Sequence, residues 1–411
     1  MYHTLYATPD GRMYDHPHLP AAGRAGRNTF PLQDIDLIPL PEGASLVLLP
    51  DSTPVGCRQG LEKPFPRTAD GKPALAVAAC LPQGFTRTFL PAFRRRTEKP
   101  LPIMGYTAVA WREGRIYAAA LPTDDPARWS PANYNTPELS QLVEERLSTS
   151  PDNKVLSGLA KCALEYRCFT AQNIFYRRWE GGLPTTPACN ARCLGCLSLQ
   201  DAGGPPSPQN RVACVPQLDD VVSVGVEHLV SAPDAIISFG QGCEGEPLLS
   251  APILAEAIRA LRIKTARGTI NLNSNAGNTK GLSQLAAAGL DSLRVSLISA
   301  TPAVYTAYHR PSYSLVDVHN SLQLAVQAGV YTSLNLLVFP GLTDCPTELA
   351  ALLNLIRETG LHMVQLRNLN IDPAVMAPLL PKETPMGIAA LIDQLQKIPG
   401  LAVGNFTRPR E

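Results

Sequence analysis

Cys189, Cys193 and Cys196 stand in the run C-N-A-R-C-L-G-C, three thiols within eight residues. Three thiolates from one short loop can hold three corners of a cubane iron–sulfur cluster and leave the fourth iron open to an outside ligand. With 10 cysteines in 411 residues, random placement gives this spacing in about 0.6% of chains, so chance is a poor account of it. A three-thiolate zinc site with an open position needs similar spacing, and cysteines packed for bulk are a third reading. A second segment bears on the choice. Residues 235–239 (A-I-I-S-F) run straight into Gly240-Gln241-Gly242-Cys243-Glu244-Gly245-Glu246-Pro247. Glycines at the end of a strand let backbone approach a ligand closely, and carboxylates can receive an ammonium group. Alone, Gly-Glu-Pro is an ordinary turn signal, and Cys243 reads as a small residue in a tight loop.

Both segments need a scaffold, and the chain changes character where it would begin. Residues 1–135 carry 18 of the 39 prolines and short apolar runs at 45–49, 74–78 and 106–110. A hairpin is expected at Trp111–Tyr117, turning on Glu113-Gly114. Proline at this density does not suit central strands, so this part is expected to be a loop-rich β or α+β accessory domain. Residues 136–182 read as a helical connector, with helices beginning after Thr136 and Asn153. From 183 to 370 strands alternate with helices, the mark of parallel βαβ units. The expected strands are 183–186, 235–239, 269–273, 292–297, 332–339 and 363–369, with helices after Ser250 and after Thr343-Asp344. Six such strands make an α/β core shaped as a partial (β/α)6 TIM-type barrel, with chemistry at the strands' C-terminal ends. An open doubly wound sheet is the alternative. Residues 371–411 are expected to pack on the core as a C-terminal helix and tail. The Gly/Pro-rich stretch 200–216 after the thiols reads as a mobile cover or an indifferent insertion.

Composition narrows the function classes. The formal charge is +1, with 36 basic and 35 acidic residues, which offers no electrostatic ground for a nucleic-acid or membrane-surface partner. No run of about 20 apolar residues is present to span a bilayer. The first residues, M-Y-H-T-L-Y, lack a secretory pattern. Ten cysteines without one imply a reducing compartment, so the expected location is cytoplasmic.

Taken together, Cys189-x3-Cys193-x2-Cys196 and the strand-end Gly245-Glu246-Pro247 resemble the radical S-adenosylmethionine (radical SAM) superfamily. Later strand ends extend the likeness: Leu272–Asn275, Arg294–Leu297 and Ser333–Gly341. The branch it most resembles contains the molybdenum-cofactor cyclase and peptide-modifying enzymes, though no cysteine-rich C-terminal extension follows Cys345. The resemblance implies that Cys189, Cys193 and Cys196 ligate a [4Fe–4S] cluster whose fourth iron chelates S-adenosylmethionine (SAM). It implies that Glu246, with the backbone around Gly245, holds the methionine ammonium. Asn275 and Ser296 would lie against the methionine carboxylate or ribose, Arg310 would pair with that carboxylate, and Asn335 is a further ribose candidate. Reduced ferredoxin or flavodoxin would supply an electron. The resulting 5′-deoxyadenosyl radical would abstract hydrogen from a small-molecule or peptide substrate in an oxygen-sensitive reaction. A peptide- or protein-modifying maturase and a non-catalytic iron–sulfur or SAM sensor are the alternatives. One position departs from the family: the aromatic residue usual before the third cysteine is Gly195, so adenine support is expected elsewhere, as from Leu366 or Leu369.

Other features have plainer readings. Ser296, Asn275 and Arg310 can equally be a core hydroxyl, a turn residue and a helix end. Cys162, Cys168, Cys57 and Cys80 are expected to be core thiols rather than a second cluster. Arg94-Arg95-Arg96 reads as a solvated loop, because residues 1–135 hold 15 basic against 12 acidic residues. His16 and His18 lie among prolines and read as an exposed loop.

Overall fold

The computed structural model describes residues 1–410. Seven strands form one sheet in chain order, each parallel to the next: Glu180–Gly182 (β1), Ile236–Phe239 (β2), Thr269–Ser274 (β3), Ser292–Leu297 (β4), Tyr331–Val338 (β5), Met363–Asn368 (β6) and Ala402–Gly404 (β7). Helices such as Leu218–Ser231, Ala251–Lys264, Thr279–Ala288 and Pro346–Thr359 return the chain between them. A doubly wound sheet would reverse its strand order partway; this one does not.

The sheet is curled. Arg294 on β4 comes within 3.9 Å of Glu180 on β1, although three inter-strand spacings in a flat sheet amount to about 14 Å. The result is an open half-barrel, with the expected six strands joined by a short seventh. Alternation along each strand sorts the two faces. On β4, Leu293, Val295 and Leu297 are fully buried in the main hydrophobic cluster, with Leu254, Ile258, Leu282 and Leu322 of the surrounding helices. Ser292, Arg294 and Ser296 take the other face. There they join an internal polar network: Ser238 donates to Glu180 at 2.7 Å, Asn271 to Ser238 at 3.0 Å and Ser292 to Asn271 at 2.8 Å. Gln365 on β6 donates to Ser333 on β5 at 3.2 Å.

The first strand is displaced from its expected place. The ladder takes Glu180-Gly181-Gly182 and a last bond from Leu183 N–H to Ser238 O at 2.9 Å. Pro184 has no N–H to continue it, and the Thr185 and Thr186 N–H groups donate instead to the Glu244 carboxylate, at 2.7 and 3.0 Å. Two helix starts also differ. Thr136 does not cap: its hydroxyl meets Tyr176 and the helix begins at Leu139. Ser250 makes no side-chain cap; Glu246 caps the 3-10 turn Pro247–Ser250 that precedes that helix. Asn153 caps as expected, accepting from Leu156 N–H at 2.8 Å.

Residues 3–122 hold short strands joined by turns and one 3-10 turn, Asp34–Asp36, with no α-helix among them. An eight-stranded antiparallel sheet is built around His3–Ala7, Leu75–Cys80 and Val109–Arg112. The hairpin turns on Glu113 and Gly114, both at positive φ, as a tight two-residue turn requires. His16 and His18 lie not in a loop but in the strand Met13–Pro20, which pairs with His3–Ala7 through a bulge that accommodates its prolines. Arg94 and Arg95 are likewise in a short strand, paired with Glu62 and with the buried Asp372.

This β region is riveted over the C-terminal ends of β5 and β6. The fully buried Arg87 donates to the carbonyls of Tyr106 (3.2 Å), Val338 (3.1 Å) and Leu369 (2.8 Å). Asn368 accepts from Arg87 N–H and donates to Phe85 O, both at 2.9 Å. Gly26 and Gly341 touch backbone to backbone; a Cβ on Gly341 would lie 1.6 Å from Gly26 N. No helix among the described residues is long and apolar enough to cross a membrane.

Candidate active site

The run from β1 into Cys189 is zipped to the loop after β2. Gly245 N–H donates to Thr186 O at 2.6 Å, and Glu246 N–H to Ala188 O at 2.8 Å. A Cβ at position 245 would fall 1.8 Å from Ala188 O, so only glycine allows the approach. Glu244 secures the same junction. Its buried carboxylate accepts four backbone N–H bonds, from Thr185, Thr186, Gly240 and Gln241, at 2.6–3.0 Å. Desolvation pushes it up to about 7 against the pull of those donors.

On its other side the cysteine loop docks on the helix Pro302–His309. Arg192 N–H donates to His309 O and Leu194 N–H to Tyr308 O, both at 3.0 Å, and Ser312 N–H to Asn190 O at 2.9 Å. Backbone bonds from two directions therefore fix where the thiols point. All three thiols are half-buried. Burial pushes Cys189 up, and burial with the neighbouring Cys189 and Cys196 pushes Cys193 up to about 12. Three thiols this close ionise together only with a cation among them. Cys193 Sγ lies 3.3 Å from His309 Nδ1, and Arg211 donates to Cys196 Sγ at 3.3 Å. His309 is held neutral by burial, which lowers it to about 3. Among the described residues no group of three or more His, Cys, Asp or Glu side chains is disposed to hold a metal ion. A cubane differs from a single tetrahedral ion in holding each thiolate on a separate iron.

A cavity of about 510 Å³ opens beside this loop. Gly195, Cys196 and Tyr308 line it, as do Asn273, Ser296 and Asn335, and Cys80 to Gln83 with Phe85 and Gly105 of the β region close it. Asn335 donates to Ser296 Oγ at 3.2 Å, while its Oδ1 and the Nδ2 of Asn273 are buried with no protein partner. Such orphaned atoms fit a wall built to receive a polar ligand.

The residues singled out from sequence are thus divided. Cys196, Ser296 and Asn335 share the cavity. Glu246 turns inward, accepting from Ser274 (2.6 Å), Asn275 N–H (2.8 Å) and Leu248 N–H (3.0 Å). Asn275 donates to Asn190 in the cysteine loop at 2.6 Å. Arg310 lies apart, on a smaller cleft across the cysteine loop. It pairs there with Asp201 at 2.8 Å, and Asp201 also binds Arg192 at 2.9 Å. Of the other cysteines, Cys57 packs with Ala22, Val55 and Ala92, while Cys162 meets Cys243 thiol to thiol.

Several residues of the site carried no local signal. Tyr308 is one: a Cβ on Gly195 would lie 2.7 Å from its hydroxyl, so Tyr308 takes the room a side chain at 195 would need. Arg211 and Arg367 are others, while Glu244 and Arg294 were noted only as parts of longer strand-end runs. Arg310 was singled out in sequence, but its neighbours Tyr308 and His309 were not.

Residues 183–353 match the family model described as the radical SAM superfamily. No curated protein sequence matches the chain. Among solved structures, the radical SAM methyltransferase TsrM from Kitasatospora setae, with cobalamin and a [4Fe–4S] cluster bound, is 16% identical at TM-score 0.34, covering 47% of this chain and 37% of that one. The FeFe-hydrogenase maturase HydG from Carboxydothermus hydrogenoformans is 17% identical at 0.35, covering 65% and 70%. SuiB of Streptococcus suis bound to precursor peptide SuiA is 11% identical at 0.40, covering 65% and 61%. The chain spans little more than a third of the methyltransferase's length. Superpositions this loose bear on neither reaction nor substrate.

Proposed function

This chain is a member of the radical SAM superfamily through its residues 183–353, and from that premise we propose that it is an enzyme abstracting hydrogen from a substrate held in the half-barrel. Its cofactors are a [4Fe–4S] cluster and SAM. When bound, they supply one-electron cleavage of a sulfonium and a hydrogen-abstracting radical, with reduced ferredoxin or flavodoxin as the electron source. One observation carries the reading. A three-thiol loop, clamped by backbone on two sides, forms the wall of a cavity whose buried Asn273 and Asn335 atoms lack partners.

In this reading Cys189, Cys193 and Cys196 hold three irons, and the Arg211 guanidinium tempers the charge on Cys196 Sγ. Gly245 lets the strand-end backbone lie close to the cluster loop. Glu246 acts through the backbone it orders, at Asn275 and Leu248, rather than through a free oxygen. Ser296, Asn335 and Asn273 meet the polar parts of SAM, and Tyr308 with Leu366 and Leu369 supplies the surface that Gly195 does not. Arg310 braces Asp201 and the 200–216 stretch. Residues 1–135 serve as the accessory domain that closes the cavity and excludes water, with 136–182 as its connector.

Anaerobic reconstitution with iron and sulfide, followed by SAM and dithionite, is expected to release 5′-deoxyadenosine above a no-protein control. A protein carrying about four irons per chain that releases none overturns the enzymatic reading. One zinc and no iron per chain overturns the cofactor assignment.

A further inference from the structure

Two guanidinium groups face the same cavity as Cys196, Arg294 from β4 and Arg367 from β6. Their surroundings differ. Arg294 donates to Thr407 at 2.9 Å and to Gln365 at 3.3 Å, and Glu180 stands 3.9 Å away as its counter-charge. Arg367 donates once, to Gln83 at 2.8 Å, and no carboxylate forms an ion pair with it among the described residues. The charges that reach it are Arg294, Glu180 and Asp124. Both acids are already engaged. Glu180 accepts from Ser238, and Asp124 holds Arg408 through both oxygens at 3.0 Å. Arg367 is half-buried on the cavity wall, and burial lowers it to about 10. A cation taken out of water without a partner is costly unless an anion joins it.

We infer that the half-barrel binds its substrate through one carboxylate, received by the open fork of Arg367 with Arg294 behind it. The inference deepens the hydrogen-abstraction reading and rests on it for the word substrate. A guanidinium fork matches a carboxylate's two oxygens. At the two forks the surplus is a single positive charge, Arg294 being offset by Glu180 while the Glu244 carboxylate on the same cavity wall is taken up by four backbone N–H donors, which favours a monoanion over a doubly charged phosphate. Gln83 comes from the β region, so closing the cavity and aiming the fork are one structural event.

The test is binding without turnover, on the reconstituted protein with SAM and no reductant, read as the ligand-dependent rise in Tm. The probes are N-acetylglycine, its neutral amide N-acetylglycinamide, and inorganic phosphate. The acid is expected to bind about tenfold more tightly than the amide, and Arg367→Gln should erase the difference. Equal binding of acid and amide overturns the inference, as does a preference that survives in Arg367→Gln or phosphate binding more tightly than the acid. If Arg367→Gln does not fold, Arg367→Lys carries the test: it keeps the charge but loses the fork, and unchanged affinity for the acid overturns the assignment. Release of 5′-deoxyadenosine by the wild-type protein is measured separately. Release without acid preference sinks this inference alone, and preference without release sinks the hydrogen-abstraction reading alone.

Discussion

The β region and the parallel half-barrel each send an arginine into the junction between them, and the two are used in opposite ways. Arg87, from the β region, spends its guanidinium on three backbone carbonyls, two of them at the ends of β5 and β6. Arg367, from the half-barrel, makes one bond to Gln83 of the β region and leaves the rest of its fork facing the cavity. One is a rivet and the other a receptor. The contrast extends to the regions themselves. The β region closes the cavity with a strand end and turns, whereas the half-barrel fills its inner face with polar side chains in register. Parallel strands put every second residue on one face at fixed spacing, which suits a curled sheet to gathering side chains around a ligand.

Four substitutions or conditions break or sharpen that comparison. The largest effect is expected in the half-barrel's cysteine loop. Cys193→Ala should abolish cluster absorbance and reduce 5′-deoxyadenosine release to background, with little change in far-UV circular dichroism. In the β region the corresponding loss is stability rather than activity. Arg87→Ala removes the guanidinium donor from the carbonyls of Tyr106, Val338 and Leu369, of which Val338 O keeps the Leu369 N–H at 3.1 Å, and should lower the unfolding free energy by about 3 kcal/mol, read from urea denaturation. A loss below about 0.5 kcal/mol contradicts its role as a rivet.

Acid should separate the two regions next. His228, in the helix Leu218–Ser231 behind β1, is buried with Nε2 on Trp179 O, and burial lowers it from 6.5 to about 4. The unfolded chain therefore binds a proton between those values that the folded chain refuses. Stability from this group is full above pH 6.5 and is lost as pH falls toward 4, by about 2 kcal/mol at pH 5. Hydrogen exchange at pH 5 should show the half-barrel helices loosening before the β sheet, and His228→Leu should roughly halve that slope, the buried His309 contributing in the same direction. The smallest effect concerns the wall beside Cys196. Gly195→Ala places a Cβ 2.7 Å from the Tyr308 hydroxyl and should weaken SAM binding about fivefold, with recovery in the Gly195→Ala/Tyr308→Phe double variant. Isothermal titration decides it.

Much of the scaffold was legible from local pattern. β2 through β6 lie close to their expected positions because each is an apolar or alternating run bounded by turn residues, and the helices between them show one apolar face. β1 was misplaced because Glu180-Gly181-Gly182 has no strand-like composition, and because a carboxylate 59 residues away draws off the Thr185 N–H. β7, with three residues, is too short to announce itself. His16 and His18 were read as a loop because proline suppresses a strand signal, yet an edge position tolerates it. Glu246 and Arg310 were legible as polar residues near the site, but not which way their side chains turn.

The sequence by itself determined the spacing of the thiols at Cys189, Cys193 and Cys196, the glycine that lets residue 245 lie against Ala188, and the succession of parallel βα units. Those features live in residue types a few positions apart, where spacing alone constrains geometry. Tertiary structure alone decided that Tyr308 fills the room beside Gly195, that Glu244 ties two loops together, and that Gln83 meets Arg367 across 284 residues of chain. The reason is the curl of the sheet. It brings strands three apart into side-chain contact, and no pattern along a single strand records which partners that curvature selects.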